Sequence, residues 1–340
     1  MQLSKSDNLR NAKNTKNDEF YTRLEDIEKE LPNYAKFLSG KSVYCNCDDP
    51  VKSNFWKYLH ENFTHFKLKS LISTHYEKNK QSYMMQYNGG KDNDDEYGAI
   101  KPLNCNGDFR SDECVDILKQ SDIVISNCPF SLARNYINLL TKYDKKFIIV
   151  GDINWVTYKD VFSLFMNESI HFGINNISSF IQPDRTEKTF GNKCWFTNIN
   201  LNNSYNELQL TKSYNDNDYV KYHNYNAINV DRVSDIPYDY FEVIGVPITY
   251  LQKHDSNLFE IVGLGGGVGF NEINKECART TIVYENPKQH NPDGTIVNGG
   301  KVNTHVVLPC NQIPHCRYYT ADNCNCYLIS TYARVFIKRK

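Results

Sequence analysis

No apolar run in this chain approaches the roughly 20 residues needed to span a bilayer, and its first residues lack the apolar core of a secretion signal. A cytoplasmic protein is expected. Net positive charge is also missing: 39 Lys and Arg against 40 Asp and Glu leave a formal charge of −1, so the whole-molecule field offers no general pull on a polyanion. Nucleic-acid binding would have to rest on local clusters, such as Lys5, Arg10, Lys13 and Lys16 near the start and Lys338-Arg339-Lys340 at the end. Runs of that kind are more often solvated tails than phosphate contacts. There is no repeat at a fixed period. The 11 cysteines are odd in number and scattered, which excludes a compact disulfide framework and points to free thiols.

What is present is an alternation of short apolar runs with amphipathic stretches, the pattern of a parallel α/β sheet. Strands are expected at Ser42–Cys47, Leu68–Thr74, Asp122–Ser126 and Lys146–Gly151, and helices at Arg23–Leu38 with a break near Pro32, Ser53–Phe63, Asp112–Gln120, Ser131–Tyr143 and Tyr158–Met166. A hairpin with arms Tyr83–Tyr87 and Glu96–Ile100 follows from the turn residues Asn88-Gly89-Gly90. Beyond about residue 200 the chain turns Asn- and Tyr-rich, with short strands and many turns. Two domains are expected, 1–200 and 201–340, the second mostly β or an irregular α+β one.

The most informative segment is Asp122-Ile-Val-Ile-Ser126-Asn127-Cys128-Pro129-Phe130, a strand stopping at a polar residue before a Pro-aromatic pair. It resembles the Asn-Pro-Pro-aromatic signature of amino-methyltransferases, with Cys128 where Pro is commoner. The residue types suit the chemistry. The exocyclic amine of adenine is a poor nucleophile because its lone pair is delocalised into the ring. An Asn127 side-chain oxygen and the Cys128 carbonyl would each accept one N–H bond, drawing density onto nitrogen as it attacks a methyl group. Phe130 would stack on a base taken out of the duplex, and Pro129 would shape the turn. The plain alternative is an ordinary strand-to-loop turn.

Four other segments stand in the order such an enzyme requires. Asn17-Asp18-Glu19-Phe20-Tyr21-Thr22 looks like the cofactor-contacting stretch before the first strand, or else a helix start with Thr22 as N-cap. Cys47-Asp48-Asp49 ends the first strand, where ligands gather in parallel sheets. Either acid would hold a methionine ammonium, though the usual glycine-rich loop is absent. After the second strand, His75-Tyr76-Glu77 offers an acid for ribose hydroxyls, with the register open among the three. Gly107-Asp108-Phe109 resembles a pair that reads the cofactor's adenine, or a common turn.

Together with Gly191–Asn198, these segments resemble the EcoRI-type adenine-specific DNA methyltransferase family over roughly residues 8–260. The likeness returns at Tyr332–Lys340 and is least over Gly263–Val302. The resemblance implies a Rossmann-like class I methyltransferase sheet with a C-terminal target-recognition domain. It also implies S-adenosyl-L-methionine as cofactor, double-stranded DNA as substrate, no catalytic metal, a monomer, and a restriction endonuclease as possible companion. The same strand-end signature also serves methylation of RNA bases or of protein glutamine, and a DNA-binding module with a decayed site is a further alternative.

Candidate base-readers are Arg232, Arg279, Arg317, Asn303 and Gln312, by residue type alone. Gly263–Gly269 reads as a flexible turn rather than a phosphate loop. Cys310, Cys316, Cys324 and Cys326, with His315 nearby, have 5, 7 and 1 residues between successive cysteines, which fits no standard zinc finger.

Overall fold

The computed structural model describes residues 20–90, 97–182, 184, 186–201, 208–266 and 282–340. The chain divides into two compact units, one running to Trp155 and resuming over Asn167–Ser204, the other holding Val156–Met166 and Tyr205–Lys340.

The first unit is mixed α/β. Its helices are α1 (Leu24–Glu30), α2 (Ala35–Leu38), α3 (Asn54–Glu61), α4 (Asp112–Gln120) and α5 (Ala133–Lys142). Its strands are β1 (Tyr21–Thr22), β2 (Ser42–Cys45), β3 (Ser70–Thr74), β4 (Tyr83–Tyr87), β5 (Ala99–Pro102), β6 (Ile123–Asn127), β7 (Lys146–Asp152), β8 (His171–Ile181) and β9 (Glu187–Thr197). They form one nine-stranded sheet in the order β1-β8-β9-β7-β6-β2-β3-β4-β5. The centre is parallel, β2 pairing with both β3 and β6, and β6 with β7. On one side the hairpin β4–β5 continues it antiparallel; on the other, β9 enters antiparallel between β7 and β8.

Alternate residues explain why the central strands read as continuous apolar runs. Val43, Cys45, Ile123, Ile125, Ile148 and Val150 join one core cluster with Ile27, Leu31 and Tyr34 from the N-terminal helical segment and Phe55, Trp56 and Leu59 of α3. Their neighbours Tyr44, Val124 and Ile149, which face the other side, are equally buried. Serines start two of the helices: Ser53 accepts from the Phe55 N–H and Ser111 from the Cys114 N–H. The break expected at Pro32 is a 3₁₀ turn over Leu31–Tyr34 between α1 and α2. Thr22 is not an N-cap: it lies in β1 with Arg23 at the cap position, because the segment pairs with β8 instead.

The second unit contains α6 (Lys159–Met166) and two antiparallel-dominated sheets. The four-stranded one has the order β10-β11-β18-β12, from β10 (Ile228–Asn229), β11 (Ile244–Pro247), β12 (Phe259–Gly265) and β18 (Arg334–Arg339). The five-stranded one has the order β14-β13-β16-β17-β15, from β13 (Lys288–His290), β14 (Ile296–Asn298), β15 (Val307–Cys310), β16 (Tyr318–Ala321) and β17 (Cys324–Ser330). Each has its own core, one around Tyr222, Tyr225 and Phe336, the other around Tyr284, Tyr319 and Leu328.

Two sequence expectations change here. Gly263, Leu264 and Gly265 belong to β12 rather than to a turn, with a register shift between Ile261 and Gly263; Gly267–Gly269 lie outside the described residues. The closing basic run is no tail: Lys338 and Arg339 are paired in β18 opposite Glu260 and Phe259. The N-terminal basic residues Lys5–Lys16 fall outside the described residues.

Candidate active site

A pocket opens at the carboxyl ends of β2, β3 and β6, lined by Phe20, Tyr21, Cys47, Asp48, Asp49, Lys52, His75, Tyr76, Asn127, Cys128, Pro129 and Phe130. The chain leaves β2 for β3 on one side and returns to β6 on the other, so the pocket sits where the strand order reverses.

Asp48 and Asp49, left open by the sequence, have different surroundings. Asp48 is buried and its oxygens are taken: Oδ2 accepts from Ser126 Oγ at 2.5 Å and from the Asn127 N–H at 3.2 Å, and Oδ1 accepts from Ser53 Oγ at 2.9 Å. It ties the end of β2 to the end of β6 and to the cap of α3. Burial pushes its carboxyl up to about 6, against these hydrogen bonds, which pull the other way. Asp49 is the more solvated acid. Its Oδ1 accepts from Tyr83 Oη at 2.8 Å and from the Val51 N–H at 3.0 Å, while Oδ2 lies 3.4 Å from Lys52 Nζ and 3.6 Å from His75 Nδ1. His75 reaches on through Nε2 to Glu77, 3.5 Å away.

Asn127 is held by one end and open at the other. Its Nδ2 donates to the Phe20 carbonyl at 2.5 Å. Its Oδ1 is among eight buried side-chain N or O atoms without a hydrogen-bond partner among the described residues, and Asn127 is the one residue of that set that lines the pocket. A buried acceptor left unpaired costs on the order of 1–3 kcal/mol, so its persistence at a pocket wall marks a place for a donor.

Phe130 stands among aromatic rings: Phe20 nearly parallel at 6.4 Å, Trp155 at 6.2 Å and Phe180 edge-on at 6.0 Å. The Lys193 ammonium lies 4.2 Å from the centroid of its ring, fixed by Asp152 at 2.7 Å.

Four residues expected at the site do not line the pocket. Thr22 is buried in β1. Glu77 reaches the pocket wall through His75, 3.5 Å away. Asp108 is gripped by Arg110, which donates to Oδ1 at 2.9 Å and to Oδ2 at 2.6 Å and holds its carboxyl below the usual range. Phe109 is buried edge-on against Tyr136. Their loop still abuts the pocket wall, since the Glu77 N–H donates to the Asn106 carbonyl at 2.9 Å. Reading the sequence missed Lys52, Tyr83, Ser126 as the partner of Asp48, and Lys193. Of these Lys52 had a local signal, three residues after Asp49 in the same loop.

An aromatic-walled pocket carrying two carboxylates at the carboxyl ends of parallel strands stands where α/β folds gather small ligands. The chain belongs to the family described as adenine-specific methyltransferase EcoRI, whose model matches residues 8–340 and so takes in the Gly263–Val302 segment where likeness was least visible. It is 40% identical over 315 residues to the type II methyltransferase M.EcoRI of Escherichia coli, covering 82% of this chain and 96% of that protein. It is also 34% identical over 273 residues to the type II methyltransferase M.MgeORF184P of Mycoplasma genitalium (74% and 84% covered), and 35% identical over 274 residues to M.MpnI of Mycoplasma pneumoniae (74% and 83%). No solved structure matches the chain. Among the described residues no helix is long and apolar enough to cross a membrane.

Proposed function

We propose that this chain uses S-adenosyl-L-methionine to methylate the N6 amine of an adenine turned out of a specific duplex DNA sequence, as the modification enzyme of a restriction-modification system. The observation that carries the reading is the unpaired, buried Oδ1 of Asn127 at the pocket wall. Membership of an adenine-specific methyltransferase family and relatives named type II methyltransferases support it.

The pocket fits a cationic, nucleoside-bearing methyl donor: Asp49 offers a carboxylate, and Phe20, Tyr21 and Tyr76 offer aromatic faces. When bound, S-adenosyl-L-methionine supplies a methyl group already activated on a sulfonium. The chain's own residues do the rest. Asn127 Oδ1 accepts a hydrogen bond from one N–H of the amine and the Cys128 carbonyl from the other, concentrating the nitrogen lone pair. Phe130 stacks on the base and Pro129 fixes the turn between them. Asp49 holds the ammonium, while Asp48 positions β2 against β6, and His75, Tyr76 and Glu77 form the ribose side. Asp108 and Phe109 shape the adenine side from behind the wall.

The sheet order, with an antiparallel strand inserted at one side of the parallel centre, supports a Rossmann-like class I methyltransferase domain at about 1–200. The part at 201–340 then serves as the target-recognition domain. The protein acts as a monomer in the cytoplasm, beside a cognate endonuclease. Transfer of labelled methyl to duplex DNA, followed by sequencing that detects modified adenine, tests the reading. Label at N6 of adenine in one recurring sequence is expected; label in RNA, in protein or nowhere overturns it.

A further inference from the structure

Three metal-ligating side chains from two distant stretches of the second unit converge, and none of them lines the pocket just described. His223, Cys324 and Cys326 each offer a ligand atom, all within 4.8 Å of one another. Cys324 and Cys326 are two apart on β17 and share a face of that strand, their sulfurs 3.0 Å apart. His223 Nε2 lies 3.8 Å from the Cys324 sulfur. We propose that these three side chains hold a zinc ion.

The surroundings favour a ligand site over a chance meeting. His223 Nδ1 is 2.8 Å from the Tyr284 hydroxyl, the kind of outer bond that fixes a histidine tautomer and leaves Nε2 free to bind metal. Tyr284 is buried, and Asn303 bonds both its N–H (2.8 Å) and its carbonyl (3.1 Å). The backbone of His223 is set with equal care. Its N–H donates to the Val307 carbonyl at 3.0 Å. The next residue, the fully buried Asn224, donates to the His305 carbonyl at 2.7 Å and accepts from the Val307 N–H at 3.1 Å. The hairpin tip that brings Cys324 into place is pinned too, Asn323 accepting from the Glu285 N–H at 3.0 Å and donating to the Val283 carbonyl at 2.8 Å.

Two thiolates and an imidazole select zinc among common divalent ions, and solvent takes the fourth tetrahedral position. At 3.0 Å the sulfurs are well beyond a disulfide, which needs about 2.05 Å. Zinc–sulfur bonds of about 2.3 Å in a tetrahedron put sulfurs about 3.7 Å apart, so binding opens the pair slightly. Uptake by two thiols releases two protons. The ion would cross-link the stretch before β10 to the β16–β17 hairpin. Sequence spacing could not show this, because His223 lies 101 residues from Cys324. Cys310, Cys316 and His315 do not belong to the cluster.

The test uses the full chain, reduced and stripped of metal, titrated with zinc alone against a chromophoric chelator. One equivalent per chain is expected, with about two protons released per zinc, and X-ray absorption at the zinc edge should read two sulfurs and at least one imidazole nitrogen. Tyr284→Phe should weaken uptake about 10- to 100-fold, and Cys324→Ser with Cys326→Ser should lose that equivalent. No uptake, a ligand set without sulfur, unchanged uptake in the folded double variant, or a Cys324–Cys326 disulfide in chain purified under reductant would each overturn the site. Should the double variant not fold, the absorption spectrum of the unaltered chain decides alone.

Discussion

At residue 127 one side chain serves two directions, its Nδ2 fastening Phe20 and its Oδ1 facing the pocket unpaired. On the proposed reading, Asn127→Ala removes the acceptor for the substrate amine, along with the bond to Phe20. Turnover should fall by about 10²–10³-fold, the scale for losing one preorganised hydrogen-bonding group, while calorimetry finds methyl-donor affinity changed less than about tenfold. Full turnover in that variant would take Asn127 out of the chemistry. Asp48, its neighbour, predicts a pH effect. Its carboxyl sits at about 6 when folded, above the ordinary 3.8, so the folded state holds its proton more tightly. The stability this contributes is complete below the unfolded value and is lost as pH rises through about 6. Between pH 5 and 7 the loss amounts to about 1 kcal/mol. Asp48→Asn cannot titrate, so its urea-unfolding free energy should fall by about 1 kcal/mol less than the parent's over that interval. Parallel profiles would show that Asp48 does not titrate there.

At the scale of elements, the loop before α4 turns on Gly107. Its φ of +80° is open to glycine and costly for other residues, and an added Cβ would run into the His75 carbonyl oxygen. Gly107→Ala should therefore cost at least about 1–2 kcal/mol in stability and, by pushing His75 and Glu77, weaken methyl-donor binding. Thermal melts and calorimetry check both, and an unchanged melt would show that the loop has slack. The same scale shows why part of the fold was legible. β4 and α4 fall where the hairpin signal and the amphipathic pattern put them, and the four central strands are within two residues of expectation, because local pattern and burial agree there. β8 and β9, 11 residues each, escaped notice since register shifts between Phe172 and Asn176 and between Ile177 and Ser179 break their alternation. The site was legible as segments but not as roles. Nothing local tells that Asp48 is saturated by Ser53 and Ser126 while Asp49 faces Tyr83, for those partners come from other elements.

At the scale of the whole molecule, a chain of net charge −1 that acts on DNA must gather its cations locally. Of the base-readers suggested by residue type, Asn303 is spent on both backbone groups of Tyr284, and Arg279 lies outside the described residues. Arg232, Gln312 and Arg317 are exposed in the second unit and remain candidates for DNA contact. Their contribution separates from catalysis by what it does to salt dependence. If Arg232 or Arg317 neutralises a phosphate, its change to Ala should lower the slope of log affinity against log salt by about 0.9 and weaken all duplexes alike. If it reads a base edge, the loss should fall on the target sequence, by about 1–3 kcal/mol, with the slope nearly kept. In both cases methyl-donor affinity should stay at the parent's value, because neither residue lines the pocket. Duplex titrations at several salt concentrations, run beside donor calorimetry, distinguish the two roles. Unchanged DNA binding in both variants would move the reading surface elsewhere, and a fall in donor affinity would show that the second unit does not act on DNA alone.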